Sequence, residues 1–148
     1  MDEGIVQVKI KSDSGRFPEY ETSGSAGMDI AAYMEVDRLT IYPGKRAAVG
    51  TGLYMELPAG YEAQIRARSG LALKHGIGLV NGVGTIDSDY RGEIKVLLIN
   101  WGEEPVVIKN GDRIAQMVIS RHEKVRFVGA GGLSETDRGR GGFGHTGV

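Results

Sequence analysis

The sequence predicts an all-β fold, a barrel or jelly roll with one short helix and a mobile C-terminal arm. Apolar and polar residues alternate with a period of two in several short segments, which is typical of half-buried strands. Glycine accounts for 24 of the 148 residues, without a collagen-like period, so the chain must turn many times. Short and numerous strands of this kind usually close into a barrel or jelly roll.

Alternation predicts the first strands. Residues 6–11 alternate between aliphatic and polar side chains, and residues 53–57 do the same. After a Pro-Ala-Gly turn at residues 58–60, the alternation resumes over residues 61–68. We therefore expect residues 53–57 and 61–68 to pair as a hairpin, with Arg68 at the polar end of the second strand.

The later strands have a different character. Residues 94–99 are apolar almost throughout, as expected of a central strand covered on both faces. Asn110-Gly111 is a hairpin-type turn signal that leads into a strand at residues 113–119. Gln116 shares a face of that strand with apolar neighbours, so its amide needs a polar partner or a place at a cavity edge.

One helix and a long tail complete the prediction. The helix covers residues 69–75, where Ser69 could cap the start and Gly76 end it in a left-handed conformation. From about residue 129 the pattern dissolves into a Gly-rich segment that cannot bury enough apolar surface to order itself alone. We therefore expect a β-barrel domain at residues 1–128 and a flexible arm at residues 129–148.

Composition excludes several functions. Lys plus Arg (18) and Asp plus Glu (19) nearly balance, so no basic field exists to hold a nucleic acid polymer. The chain has no cysteines and its three histidines lack ligand spacing, which excludes thiol chemistry and a thiolate zinc site. No leader pattern and no membrane-length apolar run are present. We expect a soluble, cytoplasmic protein without membrane contact.

Five segments place charged or hydrogen-bonding residues beside glycines at predicted strand ends, where loops usually carry function. The segment nearest the C-terminus, residues 138–147, contains a literal GxGxxG at residues 139–144. No predicted strand precedes this pattern and no helix follows it, so a Rossmann site is excluded. Its glycines and arginines could clamp phosphate, although such a tail is more often merely disordered. The segments are AGMDIAA (26–32), RSGLA (68–72), NGVGTIDSDYRGE (81–93), GDRIAQMV (111–118) and RGRGGFGHTG (138–147).

In this order and at these intervals, the five segments resemble the five motifs of trimeric dUTP pyrophosphatases, the dUTPase family. The resemblance spans residues 26–147 and departs only slightly, at Ile30 and His145. It implies a dUTPase-like β-clip, a distorted jelly roll, that hydrolyses dUTP to dUMP and pyrophosphate as a homotrimer. Such a reaction limits uracil in DNA and supplies dUMP for thymidylate synthesis.

The resemblance assigns the catalytic and nucleoside-binding residues. Asp87 would orient and activate the attacking water, a role suited to an ionised carboxylate, whereas a lone Asp there would usually form an Asx-turn. Tyr90 would pack under the deoxyribose and exclude a 2′-hydroxyl, or else be an ordinary strand-packing tyrosine. Backbone groups of residues 81–84 would read uracil. The substrate-binding residues in this segment are Asn81, Gly84, Thr85, Ile86 and Tyr90.

The resemblance also assigns the phosphate end. Asp29 would hold Mg²⁺ through water while the three phosphates bind the metal directly, or it could be a solvated turn residue. Arg68 and Asp112 are expected to form a supporting ion pair, which could equally be structural. Ser69 and Gln116 would hydrogen-bond phosphate oxygens, and Arg68 and Gly70 are further substrate-binding residues of the same segments.

The tail would complete the site of a neighbouring subunit, with each of three sites drawing segments from all three chains. Arg138 would meet the γ-phosphate and Phe143 would stack on the uracil. Residues 141–144, which include the substrate-binding Gly142 and Gly144, would cover the nucleotide. Arg140 has no assigned role.

Two other readings compete with hydrolysis of dUTP. A dCTP deaminase shares the fold, but its relatives usually lack an Asp-Tyr pair such as Asp89-Tyr90. A silent nucleotide sensor could keep the fold without catalysis, yet Asp87, Tyr90 and Arg138 are all present.

Overall fold

The structure, a computed structural model, describes residues 4–147. Within that range the chain folds into short strands and a single helix, as its alternating pattern and numerous glycines predict. The elements are β1 (Lys9–Ser12), β2 (Met28–Ala31), β3 (Arg38–Ile41), β4 (Arg46–Gly50), β5 (Leu53–Glu56), β6 (Tyr61–Arg66), α1 (Ser69–His75), β7 (Ile77–Leu79), β8 (Gly84–Ile86), β9 (Lys95–Asn100), β10 (Val106–Lys109) and β11 (Arg113–Arg121).

The strands form four antiparallel sheets around one core. Two sheets contain two strands each, β1 with β5 and β3 with β10, and the other two have the orders β4-β9-β7 and β2-β11-β6-β8. Alternate residues of all four sheets enter a single buried cluster, which includes Met55, Ile41, Val96 and Ile65. This arrangement confirms the predicted all-β class with one short helix.

Strand β9 is central, as predicted from the apolar run at residues 94–99, because it lies between β4 and β7. Val96 and Leu98 are fully buried. Cover on both faces holds only for the second half of the strand, since Leu97 remains 37% exposed while Leu98 and Ile99 are buried.

The predicted hairpin between residues 53–57 and 61–68 is wrong. Strand β5 pairs with β1, whereas β6 pairs with β11 and β8. At the intervening turn, Gly60 has a φ of 87° and its carbonyl accepts a hydrogen bond from His122 N at 3.0 Å. This contact ties the turn to the end of β11, so the chain passes from one sheet to another. Alternation reports which side chains face the core and does not identify the partner strand.

Helix α1 confirms the predicted element and corrects its start. Gly76 ends the helix with a φ of 67°, as predicted. Ser69 is the first helical residue and not its cap; the cap position belongs to Arg68, which has extended backbone and makes no side-chain capping hydrogen bond. Within residues 4–147, no helix has the length and apolar character to cross a membrane.

The turn before β11 is present as predicted. Asp112 N donates to Lys109 O at 3.0 Å, and Gly111 has a φ of 87°. The strands on either side, however, belong to different sheets, because β10 pairs with β3 and β11 pairs with β2 and β6. The turn therefore connects β10 of a two-stranded sheet to β11 of the four-stranded sheet.

After β11 the described chain contains no further helix or strand. The hydrogen bonds of residues 129–147 join only residues of that same segment, for example Gly141 N with Arg138 O at 3.0 Å. Phe143 is fully exposed. Division into a domain at residues 1–128 and an arm at 129–148 stays a prediction.

The core contains one buried asparagine, Asn100, whose removal should destabilise the fold. Its fully buried side chain donates to Ile41 O at 2.9 Å and Glu104 O at 2.7 Å, and accepts from Gly102 N at 2.8 Å. Asn100→Ala should lower the free energy of unfolding by about 3 kcal/mol, because buried backbone groups lose their partners and a void remains. Urea denaturation measures this loss.

The matched control is Asn110→Ala. Exposed Asn110 also makes three backbone hydrogen bonds, two with Met34 and one with Val36 O, but water can replace them. We expect a clearly smaller loss for Asn110→Ala. Equal losses for the two variants would contradict a role for burial.

Candidate active site

A cavity of 260 Å³ lies beside β8 and the turn that follows it. β8 is an edge strand of the four-stranded sheet, so one side of its main chain is not paired with a strand in the described chain. The cavity thus combines the unpaired edge of β8 with side chains that come mostly from residues 81–97. Its lining residues are Ile65, Asn81, Gly84, Thr85, Ile86, Asp87, Tyr90, Glu93, Lys95 and Leu97.

Asp87 lies immediately after β8, where its carbonyl accepts a hydrogen bond from Tyr90 N at 3.1 Å and closes a four-residue turn. The residue is exposed, and no residue of the 4–147 range donates a hydrogen bond to its carboxylate. The Asx-turn alternative is therefore wrong. The carboxylate remains free to accept hydrogen bonds from water or a ligand at the cavity.

Tyr90 lines the same cavity from the turn. Its hydroxyl donates to Glu93 O at 2.9 Å, which fixes the direction of the ring. The residue lies outside the strands and is 44% exposed, so it is not an ordinary strand-packing tyrosine. The ring thus lines the cavity and is held in place by its hydroxyl.

Asp29 belongs to a second group of charged residues. Its side chain is 21% exposed and accepts hydrogen bonds from Arg68 Nε at 2.9 Å and Arg113 Nη1 at 3.2 Å, one on each oxygen. Arg68 Nη1 also donates to Arg113 O at 3.2 Å. Asp29 is thus held within β2 between two guanidinium groups and is not a solvated turn residue.

Gln116 joins this group through the sheet. On β11 it lies opposite Asp29 of β2 and Arg66 of β6. Its Nε2 donates to Ala67 O at 3.0 Å, which is the polar partner that its apolar strand face required. A Cβ atom at Gly27 would lie 2.6 Å from Gln116 Oε1, so the absence of a side chain there leaves room for the amide. Ser69 and Gly70 are exposed nearby at the start of α1.

The predicted ion pair between Arg68 and Asp112 is wrong. Arg68 reaches across the sheet to Asp29. Asp112 Oδ2 instead accepts a hydrogen bond from Lys109 N at 2.8 Å and so stabilises the turn before β11.

Sequence reasoning missed three residues around these groups. Arg113 pairs with Asp29 and also lies 3.6 Å from Glu21 Oε1. Glu93 lines the cavity and accepts a hydrogen bond from Gly52 N at 3.1 Å. Gly92 contacts the Tyr90 ring. Arg113 and Glu93 were visible as charges inside two of the five segments, whereas nothing in the sequence distinguished Gly92 from other glycines.

A single chain does not bring all the predicted site residues together. The cavity that contains Asp87 includes none of Asp29, Arg68, Ser69 or Gln116. In the tail, Arg138 Nε donates to Gly141 O at 2.9 Å, and the exposed Phe143 has a φ of 52°. Gly142 and Gly144 lie beside it in the same segment. The residues around Asp87, the residues around Asp29 and the residues of the tail thus form three separate groups.

Known proteins are similar to this chain in sequence over nearly its whole length. The sequence model of the dUTPase family matches residues 13–147. The chain is 52% identical to a deoxyuridine 5'-triphosphate nucleotidohydrolase of Finegoldia magna, over 96% of this chain and 99% of that protein. It is 54% identical to the protein of the same name from Rickettsia felis, over 97% of this chain and 99% of that protein.

The fold is also similar to a solved structure. The dUTPase of Staphylococcus bacteriophage 80alpha, with dUPNHPP, superposes with a TM-score of 0.82 at 26% sequence identity. The superposition covers 98% of this chain and 99% of the phage protein. The two proteins share the β-clip, jelly-roll type of architecture.

Proposed function

The chain belongs to the dUTPase family and hydrolyses dUTP as a dUTP diphosphatase, and we propose that Asp87 directs a water molecule at the α-phosphorus. A bond forms between the water oxygen and that phosphorus, and the bond to the oxygen bridging to the β-phosphate breaks. A proton of the water passes to the Asp87 carboxylate. The products are dUMP and pyrophosphate.

One observation supports this mechanism above all, namely the position of the Asp87 carboxylate. It is exposed beside the cavity, and no described residue occupies its hydrogen-bonding positions. A base must reach the proton that it abstracts, either directly or through one water. An exposed carboxylate fixed on a four-residue turn meets that need without disturbing the fold.

The cavity beside β8 is proposed to bind the nucleoside. Its 260 Å³ is somewhat less than the roughly 300 Å³ of small ligand pockets, which suits part of a ligand whose phosphates lie elsewhere. The unpaired edge of β8 offers main-chain donors and acceptors, and residues 81–84 supply the adjacent loop. Uracil presents an acceptor, donor, acceptor edge, so a main-chain edge can match it and leave cytosine mispaired. Rejection of a mispaired analogue by such a site can reach about 10⁴.

The group around Asp29 is proposed to bind the triphosphate. Arg68 supplies positive charge, while the exposed Ser69 hydroxyl and Gly70 at the start of α1 supply hydrogen bonds. Gln116 Nε2 retains a second proton beyond its bond to Ala67 O. Charge-assisted hydrogen bonds of this kind are about twice as strong as neutral ones.

Asp29 also fits Mg²⁺ held through water. Within residues 4–147 no cluster of three or more His, Asp or Glu side chains could form an all-protein metal site. Mg²⁺ retains several waters and is commonly bound by one or two carboxylates together with substrate phosphates. When bound, the ion would neutralise phosphate charge. The side chain of Asp29, anchored by two arginines, is already oriented to accept hydrogen bonds from its waters.

The homotrimer and the arm belong to the same proposal. Three separate groups of residues in one chain need other copies to form one site, and closed threefold symmetry would supply them. The exposed Phe143 is free to stack on uracil, and Arg138 to meet the γ-phosphate. This supports an arm that completes the site of a neighbouring subunit.

A substrate panel tests the proposed function. With Mg²⁺, we expect rapid pyrophosphate release from dUTP and little from dCTP, dTTP or UTP. Ammonia release from dCTP would instead favour the deaminase. Absence of dUTP turnover in a folded protein would favour the silent sensor.

A further inference from the structure

The Tyr90 ring lies folded back against the main chain of Gly92. A Cβ atom added at Gly92 would overlap the Tyr90 hydroxyl, and it would lie 2.6 Å from Cζ and 3.0 Å from Cε2 of the ring. Real Cβ atoms essentially never have a neighbour closer than 3.0 Å, so the hydroxyl and Cζ could not stay where they are. Any side chain at residue 92 therefore requires the ring to move.

The ring has little freedom to adjust. An aromatic side chain turns about only two torsions, and the atoms that would be overlapped belong to the rigid ring and its hydroxyl. The hydroxyl is also held by its hydrogen bond to Glu93 O at 2.9 Å. Displacement of the ring would break that bond as well.

Space, and not backbone conformation, explains why residue 92 is glycine. Gly82, two residues before β8, has a φ of 73°, which other residues rarely adopt. Gly92 is absent from the positive-φ residues of the described chain. Alanine at residue 92 would thus be acceptable to the backbone, and the three nearest neighbours of its Cβ atom would all be atoms of the Tyr90 ring and hydroxyl.

We propose that Gly92 is a specificity-determining residue, which positions the Tyr90 ring so that the site accepts deoxyribose and rejects ribose. The proposal rests on the proposed function, and on the role that the family resemblance gives to Tyr90, whose ring would pack under the deoxyribose in the cavity that it lines. Gly92 touches neither substrate nor reacting atoms; it acts through the ring. Exclusion of a single hydroxyl by an apolar surface gives about a hundredfold discrimination, and this is the quantity that depends on ring position.

The test measures kcat/KM for dUTP and for UTP in the Gly92→Ala variant and in the unaltered protein. We expect the ratio of the two values to fall by about tenfold or more, with a raised KM for dUTP. The control is Gly24→Ala, since a Cβ atom at Gly24 would meet nothing within 4 Å and the residue has no positive φ. That variant should keep the original ratio. A general loss of activity with an unchanged ratio in Gly92→Ala would overturn the proposal.

A double-mutant cycle separates the contact with Tyr90 from a general structural effect. In a Tyr90→Ala background the overlapping atoms are gone, so adding Gly92→Ala should leave the dUTP to UTP ratio unchanged. The same cycle applies to thermal unfolding. If Gly92→Ala alone is too unstable to assay, removal of the ring should restore its melting temperature to that of Tyr90→Ala. Additive effects in the cycle would overturn the proposal.

The proposed function and this inference fail in different ways. If the unaltered protein does not hydrolyse dUTP, the proposed function is wrong. If it hydrolyses dUTP and rejects UTP while Gly92→Ala does so equally well, the function stands and the role of Gly92 is wrong.

Discussion

Asp87→Asn should lower kcat for dUTP hydrolysis by about 10² to 10⁴, the usual contribution of a positioned general base. The amide keeps the size of the side chain but has no negative charge and cannot take the water proton. No hydrogen bond within the described chain depends on the Asp87 carboxylate, so stability should be unchanged. Pyrophosphate release under saturating dUTP and Mg²⁺ measures the loss.

Asp89→Asn is the matched control for this prediction. Asp89 is exposed in the same turn, two residues away, and the substitution makes the same change of charge. We expect it to retain nearly full kcat. Equal losses in the two variants would indicate an effect of net charge near the site, and full activity in Asp87→Asn would remove Asp87 from the mechanism.

The elements of the fold could be predicted because their signal is local. A period of two reports burial residue by residue, so it predicts strands at residues 53–57 and 61–68. Their partners could not be predicted, because pairing depends on contacts distant in sequence. Leu53 of β5 lies opposite Ser12, and Gln116 of β11 lies opposite Arg66.

The candidate site also has a part that could be predicted from the sequence and a part that could not. Asp87 and Tyr90 lie three residues apart, so one motif carries both, and their geometry follows from a single turn. Asp29 and Arg113 are 84 residues apart, and only the sheet brings them to 3.2 Å. The sequence predicted an ion pair between Arg68 and Asp112 because each lies next to a segment assigned to phosphate binding. The long side chain of Arg68 instead reaches Asp29 on strand β2. The role of Gly92 depends on free space, which no sequence pattern describes.

Truncation after Leu133 should reduce kcat/KM for dUTP by about 10² to 10⁴, since aromatic stacking contributes about 1 to 3 kcal/mol and a charge-assisted hydrogen bond about 1.5 to 3. The lost groups are Phe143 and Arg138. Hydrogen bonds of residues 129–147 stay within that segment, so the truncated chain should unfold at the same temperature. Light scattering should give a trimer with and without the tail. A stable, active monomer would contradict the assembly, and full activity after truncation would remove the roles of both residues.

Mixed trimers decide whether the arm acts on its own chain or on a neighbour. Full-length Asp87→Asn chains lack the base, and chains truncated after Leu133 lack the arm, so each is nearly inactive alone. If the arm crosses between subunits, equal co-refolding places an intact Asp87 beside a neighbour's intact arm in about one quarter of the sites. Activity should then recover to about a quarter of that of the unaltered protein. If the arm folds onto its own chain, every site carries one defect and the mixture stays inactive, because no exchange of subunits can join the two intact parts.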